Sequence, residues 1–324
     1  MGSLGLKCQS EHMAEPQSGN RAGAPVTLTG ASGFVGRHVL RALLDANYSI
    51  RCLTRRPGVD LPSAVEVLRC DLTDPAAVAE ATNGSAAVIY LAGTVRGREP
   101  ADFTPANVTG LANIAQALAA RDAATPLLLV SSLAASAPEL SHYAASKAAG
   151  EQALRESGYS HWSILRPPAI YGSGDKELRS TFATIRKGLV PRVGPIEQRL
   201  PFIEVRDVAT AVLAWLSHTE ACRQQTYAID DGTPGGYDWN AIADAMAPKW
   251  HLTVPVPYPL LRMLGYVNLA LAKVLGYAPM LTPGKAQELT HVGWSCNNQA
   301  FANATGWQPT LALSAGVAQL FAGH

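Results

Sequence analysis

Tyr143-Ala-Ala-Ser-Lys147 places a phenol and an ammonium four residues apart. On a helix that spacing puts both side chains on one face. A free phenol titrates near pH ~10, too high to exchange protons readily at neutrality, and a neighbouring ammonium lowers it by favouring the phenolate. Val130-Ser131-Ser132 lies upstream, at the end of an apolar run. A strand there carries its last hydroxyls to the carboxyl edge of a sheet, where open α/β sheets bind ligands. Together these residues define a proton-transfer chemistry. Tyr143 gives or takes a proton at a carbonyl or hydroxyl oxygen, and Ser132 hydrogen-bonds that oxygen and orients the substrate. Lys147 lowers the Tyr143 pKa. Ser131 is the alternative to Ser132, because successive strand residues face opposite sides. His142 reads as a surface neighbour of Tyr143, not a second proton carrier.

Positioning such a site takes alternating strands and helices. Residues 25–30 read as a buried strand running into a turn, 34–46 as a helix with Val35, Val39, Leu43 and Leu44 at helical spacing, and 50–54 as a second strand. A short helix over 76–81 follows Asp74 as N-cap and Pro75 in the first turn. Strands at 87–91, 127–130 and 162–165 alternate with helices over 107–120 and 143–156. This pattern predicts the α/β class, with a Rossmann-type doubly wound parallel sheet covered by helices on both faces. From Ile170 onward the regularity decays and Pro and Gly accumulate, which predicts a smaller C-terminal substrate-binding subdomain. The expected division is a leader over 1–22, a dinucleotide-binding domain over 23–168, and a substrate-binding subdomain from 169–200 and 219–324. Residues 201–218 return to the first domain, with a helix capped by Asp207.

Thr29-Gly30-Ala31-Ser32-Gly33-Phe34-Val35-Gly36 joins the first strand to the first helix. Three glycines at this spacing have separate jobs: a tight turn, close approach of backbone to a pyrophosphate, and close helix–strand packing. The helix start offers free N–H groups and partial positive charge to phosphate. Gly30, Ser32, Gly33, Phe34, Val35 and Gly36 are therefore the expected phosphate-binding residues. The second strand ends in Cys52-Leu53-Thr54-Arg55-Arg56-Pro57, with two guanidinium groups and no carboxylate to bind the ribose hydroxyls of NAD. A guanidinium can bond two oxygens of a 2′-phosphate at once, so Arg55 and Arg56 point to NADP(H) over NAD. Solvated surface charge is the alternative for both.

The wording of the glycine turn, with Ser-Ser at a strand end and Tyr-x-x-x-Lys in order after it, resembles the extended branch of the short-chain dehydrogenase/reductase superfamily. That branch includes nucleotide-sugar epimerases and dehydratases, 3β-hydroxysteroid dehydrogenases and dihydroflavonol reductases, and the resemblance runs from about 25 to about 310. It implies that Asp71 and Leu72 lie near the adenine and that Leu91, Ala92 and Gly93 pass the cofactor. It further implies that Pro167 and Ile170, in the loop after the fifth strand, pass the nicotinamide, that Lys147 beside Tyr143 holds the nicotinamide ribose, and that the cofactor moves the hydride. Asp71 as a turn or helix cap is the alternative for that residue. Asn107 matches a family position, with a helix cap as the competing reading. Family members often dimerise through the helices near Asn107 and Tyr143, which leaves a homodimer open. Departures from the nucleotide-sugar enzymes are also visible. Ala169 stands where they carry Asn, and Leu200 stands nearest their expected Arg, with Arg199 one residue off. A sugar diphosphate would lack its cationic partners here.

The chain has 324 residues, 26 Lys and Arg against 25 Asp and Glu, and 48% apolar residues. That suits a sizeable core and points away from nucleic acid. Cys8, Cys52, Cys70, Cys222 and Cys296 form no zinc pattern or redox pair, so no metal is expected and a reduced, cytoplasmic setting is. The polar leader has no apolar secretory segment, and the native start is either Met1 or Met13, where His12-Met13 reads as a cloning junction. The apolar stretch 254–281 is too interrupted by Arg262, Asn268, Lys273 and prolines for a transmembrane span. Leu260, Leu264, Val267, Leu271 and Val274 recur at helical spacing, which predicts a core or subdomain helix. A lid over an apolar pocket and a membrane-surface helix are the other readings.

These observations converge on an NADP(H)-dependent oxidoreductase that transfers a hydride to or from a carbonyl or alcohol carbon of an apolar small molecule. An epimerase or dehydratase of a nucleotide sugar is the first alternative. A non-catalytic dinucleotide-binding subunit is the second.

Overall fold

The apolar runs pair side by side into one seven-stranded, wholly parallel sheet in the computed structural model of the chain, which describes residues 23–121 and 124–322. The leader 1–22, with Cys8 and Met13, lies outside the described residues. Strand β1 (Val26–Thr29) feeds helix α1 (Phe34–Asp45), followed by β2 (Ile50–Thr54), β3 (Glu66–Arg69), α2 (Pro75–Ala81) and β4 (Ala87–Tyr90). Next come α3 (Pro100–Thr104), a π-helical turn (Pro105–Thr109), α4 (Gly110–Ala119), β5 (Leu127–Val130), α5 (His142–Glu156) and β6 (Trp162–Arg166). The remainder is β7 (Ala169–Tyr171), α6 (Leu178–Arg186), β8 (Leu189–Val193), β9 (Phe202–Glu204), α7 (Val205–Ser217), β10 (Gln225–Ala228), α8 (Trp239–Met246), β11 (Leu252–Val256), α9 (Tyr258–Leu275), α10 (Pro283–Thr290), α11 (Gln299–Thr305) and α12 (Leu313–Phe321).

The sheet order is β10-β6-β5-β4-β1-β2-β3. Strand order reverses between β1 and β4, and at such a point a crevice opens outside the carboxyl ends of the strands. β1, β4 and β5 are buried along their whole length, as expected of a parallel sheet covered on both faces. Val39 and Leu43 of α1, Val208 and Trp215 of α7 and Phe301 of α11 pack on one face. Val78 of α2, Leu111 and Ile114 of α4 and Leu154 of α5 pack on the other. A third core gathers Tyr171, Phe182, Phe202, Tyr237, Ile242 and Leu313 from the less regular second half of the chain.

Several local expectations change. Residues 107–120 do not begin a helix. The helix starts at Pro100 behind a capping box of Glu99 and Asp102, and passes through the π turn that contains Pro105 and Asn107. Proline lacks a donor for the helical ladder, and a π turn absorbs that interruption. Asn107 is thus buried inside the helix and caps nothing. Glu204, not Asp207, caps α7, accepting from Arg206 N at 2.6 Å. Asp207 is buried and accepts from Thr310 N and Leu311 N, which ties the segment after α11 to α7. In α9, the stripe Leu260, Leu264, Val267, Leu271 and Val274 faces solvent, and Leu261, Gly265 and Ala272 form the buried side.

Candidate active site

A cavity of about 480 Å³ lies outside the carboxyl ends of β1, β2 and β4, at the switch point. Gly30, Ser32 and Gly33 line it from the turn after β1, Arg55 and Arg56 from the end of β2, and Leu91, Ala92 and Gly93 from the end of β4. Asp71 and Leu72 close another side. Gly30 adopts φ +71°, and a Cβ there would lie 2.8 Å from Ala92 N. At Gly36 a Cβ would fall 2.1 Å from the Gly30 carbonyl oxygen, so any side chain would force α1 off the turn. Gly33 caps α1 without a side-chain hydrogen bond, leaving the helix start to an anion. Phe34, Val35 and Gly36 form the first turn of α1 and do not line the cavity. Thr29 Oγ1 accepts from Leu91 N (3.1 Å) and Ala92 N (3.0 Å), locking the β4 loop to the glycine turn.

Asp71 accepts from Thr73 N and Oγ1, which holds its carboxyl below the usual range, with Arg55 adding to the effect. It therefore serves as a turn residue and as a wall of the cavity together. Burial pushes the Cys52 thiol up to about 12 and also raises that of Cys70, so both are inert thiols in the wall.

Ser132, Tyr143 and Lys147 meet beside the end of β5. Ser132 caps a short 3₁₀ turn, its oxygen accepting from Ala134 N at 3.2 Å, and its hydroxyl also hydrogen-bonds the Tyr143 phenol. Tyr143 is half-buried, and Phe103 of α3 packs 6.4 Å from its ring centre. Burial pushes its pKa up to about 12, against the lowering bond from Ser132, and Glu288 raises it further. Lys147 is buried and donates to the Val130 carbonyl at 3.1 Å. Burial pulls its pKa down to about 8, with Glu151 acting in the opposite sense. A weakly acidic phenol bonded to Ser132 is a proton donor at neutral pH.

Residues that the sequence did not single out hold this arrangement. Glu151, fully buried one turn beyond Lys147, takes a two-point grip from Arg166 at 2.9 and 2.6 Å and a third bond from Arg155. It also accepts from Ser131 at 2.6 Å. Ser131 therefore points away from Tyr143, and Ser132 is the serine beside the phenol. Asn107 bonds Thr94 N, Thr94 O and Ser146 Oγ, pinning the loop after β4 to α5. From the far end of the chain, α10 brings Glu288 onto Ser141, the cap of α5, and Lys285 Nζ to 6.0 Å from the Tyr143 ring centre. His142 is exposed, as expected of a surface neighbour.

The match of a model of the NAD dependent epimerase/dehydratase family to residues 26–229 spans the sheet, the glycine turn and all three catalytic candidates. The chain belongs to that family. A ceramide reductase from Caulobacter vibrioides is 36% identical to this family member over 282 residues, covering 83% of this chain and 85% of that one. A 3 beta-hydroxysteroid dehydrogenase/Delta 5-->4-isomerase from Mycobacterium tuberculosis is 26% identical over 326 residues, covering 81% and 88%. The crystal structure of a UDP-glucose 4-epimerase from Thermotoga maritima superposes with a TM-score of 0.66 at 17% identity over 91% of this chain and 97% of that one, a likeness of fold. This epimerase/dehydratase family member is an NAD(P)-dependent oxidoreductase of the short-chain dehydrogenase/reductase superfamily, extended branch.

The residues of this family member fit a dinucleotide. The glycine turn is too tight for any Cβ at Gly30 or Gly36, and the cavity beyond it carries Arg55 and Arg56. Pro167 and Ile170 do not line that cavity. The Pro167 carbonyl accepts from Leu133 N beside Ser132, and Ile170 pairs with Ile203 in a separate two-stranded sheet. Arg199 faces Asp238 at 3.5 Å and donates to the Gln198 carbonyl. Among the described residues no cluster of His, Cys, Asp and Glu is suited to a metal, and no helix is long and apolar enough to cross a membrane.

Proposed function

We propose that the protein is an NADP(H)-dependent reductase of a carbonyl on an apolar, ceramide-like lipid. The observation that carries the reading is the pairing of a protonated, Ser132-bonded Tyr143 with a cofactor cavity whose β2 end offers Arg55 and Arg56 and no carboxylate. Gly30, Ser32 and Gly33 would hold the pyrophosphate, with Phe34, Val35 and Gly36 supplying the first turn of α1 behind them, Arg55 and Arg56 would hold the 2′-phosphate, and Asp71 and Leu72 the adenine side. Leu91, Ala92, Gly93, Pro167 and Ile170 would line the path to the nicotinamide, with Lys147 at its ribose. The bound nucleotide would supply the hydride. Ser132 orients the carbonyl oxygen, and Tyr143 donates the proton that turns it into a hydroxyl. Lys147, held near the end of β5, carries the positive charge of the site. The lipid substrate class rests on the ceramide reductase relative, and on departures at Ala169 and Leu200 that leave a sugar diphosphate without cations.

Fluorescence titration should show tighter binding of NADPH than of NADH. In Arg55→Ala the preference should fall by roughly tenfold, the loss of about one charge-assisted phosphate contact. Equal affinity for both nucleotides in the unaltered protein overturns the cofactor assignment. For the substrate, NADPH oxidation should follow addition of a long-chain ketone of ceramide type. Turnover of nucleotide sugars together with inertness toward such ketones would sink that assignment.

A further inference from the structure

Helix α9 is an apolar helix turned outward. Leu260, Met263, Leu264, Val267, Leu271 and Val274 fall on one side at the 3.6-residue period, and all are exposed. Val274 is 83% exposed and Val267 50%. The opposite side carries small residues and packs on the start of α10, where a Cβ at Gly265 would sit 2.7 Å from the backbone of Thr282. Charge adds a second, independent feature. Between Asp244 and Glu288 the chain holds Lys249, Arg262, Lys273 and Lys285 and no acidic residue, although the whole protein is nearly neutral. Arg262 and Lys273 lie about three turns apart on the exposed flank between the buried seam and the apolar side. Tyr266 lies beside Arg262, its hydroxyl accepting from Nη2 at 3.2 Å.

From this geometry we infer that α9 docks the protein on an anionic lipid bilayer, lying in the plane of the interface without crossing it. An outward apolar side with aromatic and cationic borders is the pattern that partitions into the headgroup region, by burying apolar area and by attraction to negative lipid. A second copy packed on the same face would set Arg262 and Lys273 against their own like charges, with no acid in the segment to answer them. The position also suits the site. α9 packs on α10, and α10 brings Lys285 to the Tyr143 ring, so the bilayer would lie one helix away from the reacting phenol. The docking itself does not depend on the reductase reading.

The test is sedimentation of the full chain with vesicles of phosphatidylcholine, with and without phosphatidylglycerol, in the absence of nucleotide and substrate. The protein should pellet with the anionic vesicles and be released by salt. Val267→Glu combined with Val274→Glu should weaken partition by roughly tenfold or more. Arg262→Glu with Lys273→Glu should erase the preference for phosphatidylglycerol. All four positions are exposed, and unchanged thermal melting confirms that each variant is folded. Wild-type protein that stays in the supernatant with both vesicle types overturns the inference. So does a concentration-dependent dimer that the glutamates dissolve without any vesicle binding, since a second copy would then cover the face. Because nothing turns over in this assay, its failure and that of the reductase reading are told apart.

Discussion

Tyr143→Phe will lower turnover about 10²- to 10⁴-fold and leave NADPH binding nearly unchanged. The variant removes one oxygen, the one that bonds Ser132, and keeps the ring that packs against Phe103. The fold should therefore survive and the loss should appear in kcat. Single-turnover kinetics with a long-chain ketone, beside a nucleotide titration of the same variant, make the measurement. Full activity in Tyr143→Phe would assign the proton transfer to another group.

The same site makes a pH prediction whose sign follows from burial. The phenol is held up at about 12, so Tyr143 stays a proton donor across any workable pH. Lys147 is pulled down to about 8 and loses its charge as pH rises through that value. An alkaline fall in the reduction rate near pH 8 therefore reports Lys147 and not Tyr143. Lys147→Arg, whose guanidinium stays charged, should remove that limb from the profile even if its overall rate is lower.

What could be read from the sequence was what depends on neighbours along the chain. Gly30 and Gly36 announce a tight strand-to-helix turn because a side chain at either would strike neighbouring backbone, and Tyr143 and Lys147 announce a pair because four residues make about one helical turn. β3 went unread because Glu66, Val67 and Arg69 are exposed on the sheet's edge strand and show no buried alternation. β8 and β11 went unread because each carries a proline, Pro191 and Pro255, which an edge strand tolerates and a central one does not. The stripe on α9 had the right period and the wrong side. Its buried seam is made by Gly265 and Ala272, small residues that let α10 approach closely and leave the large ones outside. Glu288 reaches Ser141 across 147 residues of chain, a contact no local pattern encodes. Glu151 was within reach of a local reading, since it stands four residues after Lys147 on the same helix, but only the fold brings Arg166 onto it.

Glu151→Ala should be the most destabilising single change near the site, costing about 3–5 kcal/mol in denaturant unfolding, because it strands the buried side of Arg166 and the Ser131 hydroxyl. Glu151→Gln keeps the shape and separates charge from packing. Burial alone would raise the Glu151 pKa, but bonds from Arg166 and Ser131, the Arg166 charge and the bond from Arg155 overcome it and leave the pKa below 4.5. The folded state therefore binds fewer protons than the unfolded chain. The stabilisation is complete above pH 4.5 and is lost as pH falls through the lower folded value. Stability in that acid range should depend less steeply on pH in Glu151→Gln than in the wild type. A purely structural carboxylate would stop there, but this one also raises the Lys147 pKa through its charge. Without that charge the ammonium is easier to neutralise, so the alkaline limb of the reduction rate should move below 8. A limb that stays in place while stability falls would make Glu151 a brace for α5 and β6 with no hand in the proton chemistry.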